Sequence, residues 1–149
     1  MKFNKDGESW EGRSLWYDAA DGVLKILDQR RLPSEMKIIR CESYQDVAQA
    51  ISEMAVRGAP AIGIAAAWAM ALATKSGVDA KQAAKALKGA RPTAHDLFYA
   101  VDMMEGVISS QGERGKAEAA LEMAQSFEEE VVDKCRRIGL NGASLIKEG

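Results

Sequence analysis

The stretch Met54-Ala55-Val56-Arg57-Gly58-Ala59-Pro60-Ala61-Ile62-Gly63-Ile64 combines the residue types that most readily do chemistry in this chain. Pro60 suits the first turn of a helix, so a helix N-terminus is predicted here. Such an end leaves about four backbone N–H groups unpaired and carries roughly half a positive charge. Gly58 lets a bound group approach the backbone closely. Arg57 sets a second positive charge beside the first, which is awkward unless an anion lies between them. A phosphate would satisfy the guanidinium and the amides together. The same residues also suit a tight interhelix turn with a solvated arginine, and both readings stay open on the residues alone. Arg91-Pro92-Thr93-Ala94 repeats the arrangement, an arginine just before a helix start, with Thr93 able to cap. If the two helices pack side by side, Arg57 and Arg91 can converge on one anion; otherwise they are two surface arginines.

Other reactive groups carry less. His95, the single histidine, falls in the first turn of its helix, where a cation is disfavoured, and reads as a surface residue. Cys41 ends a strand candidate and reads as a small buried side chain. Cys135 lies among Lys134, Arg136 and Arg137 and reads as an inert cysteine on a charged helix. Glu128-Glu129-Glu130 reads as a solvated helix face. No cluster has metal-ligand spacing, and neither a Ser-His-Asp set nor a glycine-rich nucleotide loop can be assembled.

The elements that must position these residues follow from periodicity. Ser14–Tyr17, Val23–Leu27 and Met36–Cys41 read as three short strands, the first two joined through Asp21-Gly22, and they predict a small antiparallel meander over residues 1–42. Ser43 with Asp46 three residues on predicts a capped helix. Val47, Ile51, Met54 and Ala55 form its apolar face, and it should stop near Arg57-Gly58. The next helix, from Pro60, is apolar nearly all round and belongs at the centre of a bundle. Asp79 can cap a helix from Ala80 to Leu87. Ala94 to Ser109 carries a buried stripe of Leu97, Phe98, Val101, Met104 and Ile108. Lys116 to Ile138 predicts a long amphipathic helix with Gly139 as its stop. The expected fold is therefore mainly α: a helical bundle over residues 43–140 joined to a small N-terminal antiparallel sheet. Residues 141–149 are expected to begin a further short helix within a linker.

Composition excludes several classes. The 149 residues are 47% hydrophobic and 28% charged with a formal net charge of -2, which is ordinary for a globular protein. This balance gives no electrostatic footprint for nucleic acid or an anionic membrane. Two distant cysteines fit a reducing cytoplasmic compartment. The uncharged run from Gly58 to Thr74 spans only about 22 Å as a helix from Pro60 at 1.5 Å per residue, against the roughly 30 Å of a bilayer core.

Leu27-Asp28-Gln29-Arg30-Arg31-Leu32-Pro33, then Val56-Arg57-Gly58-Ala59-Pro60-Ala61-Ile62-Gly63, then Arg91-Pro92-Thr93-Ala94, resemble in order and spacing the methylthioribose-1-phosphate isomerases. The resemblance runs from about Trp16 to Gly149. It extends to ribose-1,5-bisphosphate isomerases and, more distantly, to the non-catalytic regulatory subunits of translation initiation factor 2B. It implies an aldose–ketose isomerase of methionine salvage that acts on a phosphorylated pentose, a reaction that needs no redox cofactor, so no cofactor is expected. It implies substrate-binding roles for Arg57, Gly58, Ala59 and Arg91. Family members are roughly twice as long, and their catalytic cysteine and aspartate lie in a C-terminal Rossmann-like domain, through which they usually form homodimers. Neither Cys41 nor Cys135 matches the catalytic cysteine, so no catalytic residue is expected in this chain, and alone it is expected to be inactive. His95 and Asp96 depart from the valine and asparagine that usually follow Arg-Pro-Thr-Ala.

Overall fold

A computed structural model describes the backbone of residues 2–5 and 8–146 and the side chains from Gly12 to Ile146. Strands β1 (Lys2–Lys5) and β2 (Glu8–Glu11) form an antiparallel hairpin that the sequence pattern did not single out. The expected meander follows as β3 (Leu15–Asp18), β4 (Val23–Leu27) and β5 (Ile38–Cys41), antiparallel in the order β3-β4-β5. Its first turn closes on Gly22 at φ +71°, whose amide donates to the Asp18 carbonyl at 2.7 Å. Asp18 Oδ1 accepts from the Ala20 and Asp21 amides at 3.0 and 3.2 Å, so the turn is held by side chain and backbone alike.

Helix α1 (Tyr44–Ser52) begins as its sequence predicts. The Ser43 hydroxyl accepts from the Asp46 amide, and Asp46 accepts in return from the Ser43 amide. It ends earlier than expected. Met54 turns left-handed at φ +59° and points outward, half exposed, so it leaves the apolar face that Val47 and Ile51 continue. Left-handed backbone costs a side-chain-bearing residue about 1–2 kcal/mol, which is recovered here because the reversal buries Ala55 and Val56.

Helix α2 (Ala59–Lys75) is buried from Ile62 to Ala73 and is packed round by α1, α3 (Ala80–Ala90), α4 (His95–Ser110) and α5 (Lys116–Ala143). A helix without a polar face can only sit there. Asp79 caps α3 by accepting from the Gln82 amide. The buried stripe of α4 is as expected, with Phe98 only partly covered. Gly139 does not stop α5, which runs on to Ala143. The short helix expected after Asn141 is therefore the end of α5 itself, followed by turns at Leu145 and Ile146. Residues 147–149 of the expected linker lie outside the described residues.

Two further corrections concern polar groups. Glu128 is no solvated face residue: it is buried, and its carboxylate accepts from Trp68 Nε1 at 2.7 Å and from Arg13 Nη1. Tyr17 stacks on Trp68 with ring centroids 4.5 Å apart. A buried acid and an indole on neighbouring helices thus satisfy each other across the bundle. Cys41 is buried, as expected, and its thiol is pushed up to about 12 by burial and by the charge of Asp46. Cys135 is exposed. In a native thiol titration at neutral pH only Cys135 is expected to react quickly, with Cys41 following after denaturation.

Candidate functional site

Gly58 is the N-cap of α2 at φ +91° and ψ 127°, a conformation that favours glycine. It provides no side-chain cap, and the first turn carries no acidic residue. Ile62 N–H already donates to the Gly58 carbonyl at 3.0 Å, and Pro60, in that first turn, has no N–H. The amides of Gly58, Ala59 and Ala61 are therefore the orphan donors of this end, with no acceptor in the helix before them. Among the described residues nothing beyond its chain neighbours lies within 4 Å of the point where a Gly58 side chain would begin, and Gly58, the ledge at this helix start, is exposed. Arg57 is exposed beside it and has no carboxylate partner among the described residues.

Arg91 lies between α3 and α4, as the C-cap of α3. The Ala94 amide donates to its carbonyl at 3.1 Å, and Ala94, not Thr93, is the N-cap of α4. Thr93 stays exposed without a capping bond because the turn is closed by backbone alone. Arg91 Nη1 is buried and has no hydrogen-bond partner among the described residues. A buried guanidinium nitrogen without an acceptor is unusual and asks for an anion or a water. His95 stands outward, its side chain 91% exposed, 3.8 Å from the Asp96 carboxylate.

The two arginine-bearing connections reach the same end of the bundle because α2 and α4 pack backbone to backbone. A side chain at Gly63 would begin 3.1 Å from the Asp96 carbonyl oxygen, so the first turn of α4 lies against α2 one turn past its start. A Cβ there is tight against the carbonyl, so the neighbouring backbone has to give by a few tenths of an ångström to admit one. Gly63→Leu is expected to cost about 2–3 kcal/mol in urea unfolding through overpacking against backbone. Gly63→Ala is expected to cost much less, since better helix propensity offsets a small shift.

The motif Asp28-Gln29-Arg30 contacts the connection between α1 and α2. Asp28 is buried and accepts from Arg30 Nε and Nη2, both at 2.8 Å, and from the Arg30 amide at 3.1 Å. The guanidinium holds its carboxyl below the usual carboxylate range, helped by that backbone bond and opposed by burial. Sequence reasoning took this motif as a mark of resemblance and assigned it no role. Among the described residues no group of three or more His, Cys, Asp or Glu is placed to hold a metal.

A helical bundle with a small antiparallel sheet and an arginine-flanked helix start is the architecture of a known family. Residues 55–149 match the family described as "Initiation factor 2 subunit family" (IF-2B), and the chain belongs to it. Its curated relatives include methylthioribose-1-phosphate isomerases. That of Thermotoga maritima is 40% identical over 158 aligned positions, covering 100% of this chain and 43% of its own. That of a Synechococcus strain is 41% identical over 126 positions, covering 85% of this chain and 37% of its own. Two solved structures share the fold. The translation initiation factor eIF-2B subunit delta from A. fulgidus aligns with TM-score 0.83 at 33% identity, over 93% of this chain and 43% of that one. The 5-methylthioribose 1-phosphate isomerase from Pyrococcus horikoshii aligns with TM-score 0.84 at 29% identity, over 93% and 42%. The chain thus spans about 40% of the length of the curated relatives it matches. No helix of the described residues is long and apolar enough to cross a membrane.

Proposed function

We propose that this chain is the substrate-binding part of an aldose–ketose isomerase that converts 5-methylthioribose 1-phosphate to 5-methylthioribulose 1-phosphate in the cytoplasm. The observation that carries the reading is the buried Nη1 of Arg91, which has no hydrogen-bond partner among the described residues, in the connection that leads into α4 where its first turn packs on the start of α2. Relatives that carry the isomerase name support the choice of substrate.

In this reading the phosphate is the handle. Arg57 and Arg91 supply charge-assisted hydrogen bonds, and the amides of Gly58 and Ala59 complete the grip at the positive end of α2. Phosphate on the anomeric carbon blocks the simple ring opening of a free sugar, so holding that group fixes the carbons that exchange protons. The proton transfers belong to groups outside this chain, in a second domain that would also carry the homodimer contact. Nothing in this grip distinguishes a ribose 1,5-bisphosphate.

A second reading has a specific observation in its favour: a neighbour in fold, at 33% identity, is an initiation factor subunit. A non-catalytic sugar-phosphate-binding module would keep the same ledge. Turnover separates the two. The product of the whole reading frame is expected to isomerise 5-methylthioribose 1-phosphate, and the 149-residue chain alone is expected not to. Turnover by this chain alone would contradict the assignment of its role. Binding without turnover by the whole product would transfer the protein to the non-catalytic reading.

A further inference from the structure

The connection from α1 to α2 reverses direction twice in a few residues, at Met54 (φ +59°) and at Gly58 (φ +91°). Neither regular helix geometry nor a side-chain cap sets the orientation of the peptide between Arg57 and Gly58. A peptide next to a glycine turns over readily, and turning it would carry the Gly58 N–H to the opposite side of the ledge.

One side chain opposes that turn. Gln29 Nε2 donates to the Arg57 carbonyl at 3.5 Å, while the Gln29 amide donates to the Ala55 carbonyl at 3.1 Å. Because the peptide is planar and trans, a carbonyl held toward Gln29 puts the Gly58 N–H on the face away from it. The platform that carries Gln29 is itself fixed. On one side Asp28 is buried and bonded by Arg30, and its amide donates to the Lys37 carbonyl at 2.8 Å. On the other, Arg30 Nη1 reaches Glu53 Oε2 at 2.6 Å, tying the turn to the end of α1. The connection is therefore tethered at Glu53, Ala55 and Arg57 by two consecutive residues.

We propose that Gln29 is a positioning residue for the anion ledge, setting the Arg57–Gly58 peptide so that the Gly58 amide faces the bound phosphate. The role rests on the anion reading of the ledge given above. It gives a physical task to the Asp28-Gln29-Arg30 turn.

The test uses inorganic phosphate as the probe and follows the backbone amide resonances of the 149-residue chain. Phosphate is expected to move the Gly58 and Ala59 resonances of the unaltered protein. Gln29→Met keeps length and bulk but cannot donate; Gln29→Glu keeps length and offers only an acceptor. Each is expected to shift the Gly58 resonance before any phosphate is added and to weaken phosphate binding by about threefold or more, with an unchanged melting temperature. If phosphate moves Gly58 and Ala59 equally well in both variants and the unliganded Gly58 resonance stays in place, the positioning role is overturned and the ledge stands. If phosphate leaves Gly58 and Ala59 unmoved in the unaltered protein, the ledge itself is overturned, and this role with it. Weaker binding accompanied by a lowered melting temperature in both variants would make Gln29 structural and equally overturn the proposal.

Discussion

Arg57→Ala is expected to weaken binding of 5-methylthioribose 1-phosphate by about tenfold or more, with melting unchanged. The size follows from the interaction lost: a hydrogen bond to a charged group contributes about 1.5–3 kcal/mol, and an arginine offers a phosphate two at once. Stability should hold because the Arg57 side chain is exposed and pairs with no carboxylate among the described residues. Arg57→Lys keeps the charge without the fork and is expected to fall between the two. Calorimetric titration of the whole reading-frame product gives the comparison directly. Equal affinity in Arg57→Ala would remove this residue from the phosphate grip.

The largest effect on stability is expected at Trp68. It is buried at the centre of the bundle, stacks on Tyr17, and donates to the buried Glu128 carboxylate. Trp68→Ala opens a cavity worth about 3–5 kcal/mol, a large part of the stability of an ordinary domain. It also withdraws one of the two side-chain hydrogen-bond donors of the buried Glu128 carboxylate. Trp68→Phe separates the terms: it keeps most of the packing and loses the indole donor, so about 1–3 kcal/mol is expected. Urea unfolding of both variants checks the ordering, and a Trp68→Phe loss as large as that of Trp68→Ala would assign the site to the hydrogen bond alone.

What the sequence made legible was local. Ser43 with Asp46, and Asp79 ahead of Ala80, are short-range hydrogen-bond signals, and both caps form. The all-round apolar character of α2 announced its central place, because it has no face to show to water. The start of α2 was legible too, since Pro60 two residues after Gly58 marks a first helical turn.

What escaped was decided by contacts remote in the chain. Glu128 sits in a run of three acids, and only the approach of Trp68, sixty residues earlier, shows why the first of them is inside. Met54 continues the helical period of Val47 and Ile51, but burying Ala55 and Val56 wins over extending the helix by another turn. Gly139 looked like a stop, yet a glycine ends a helix only when the chain turns left-handed there, and here α5 continues. Gln29 carries no sign of its task, because its acceptors are backbone carbonyls twenty-six and twenty-eight residues away. The signal that could have found Asp28 is its place directly after the apolar strand Val23–Leu27, where a buried acid needs a nearby cation and Arg30 is the one supplied.

The most direct measurement is a crystal structure of the 149-residue chain with 5-methylthioribose 1-phosphate bound. Phosphate oxygens are expected within about 2.7–3.2 Å of the Gly58 and Ala59 amides, of the Arg57 guanidinium, and of Arg91 Nη1, which thereby gains its missing partner. A phosphate seated elsewhere, with the start of α2 bare and Arg91 Nη1 still alone, would contradict the account.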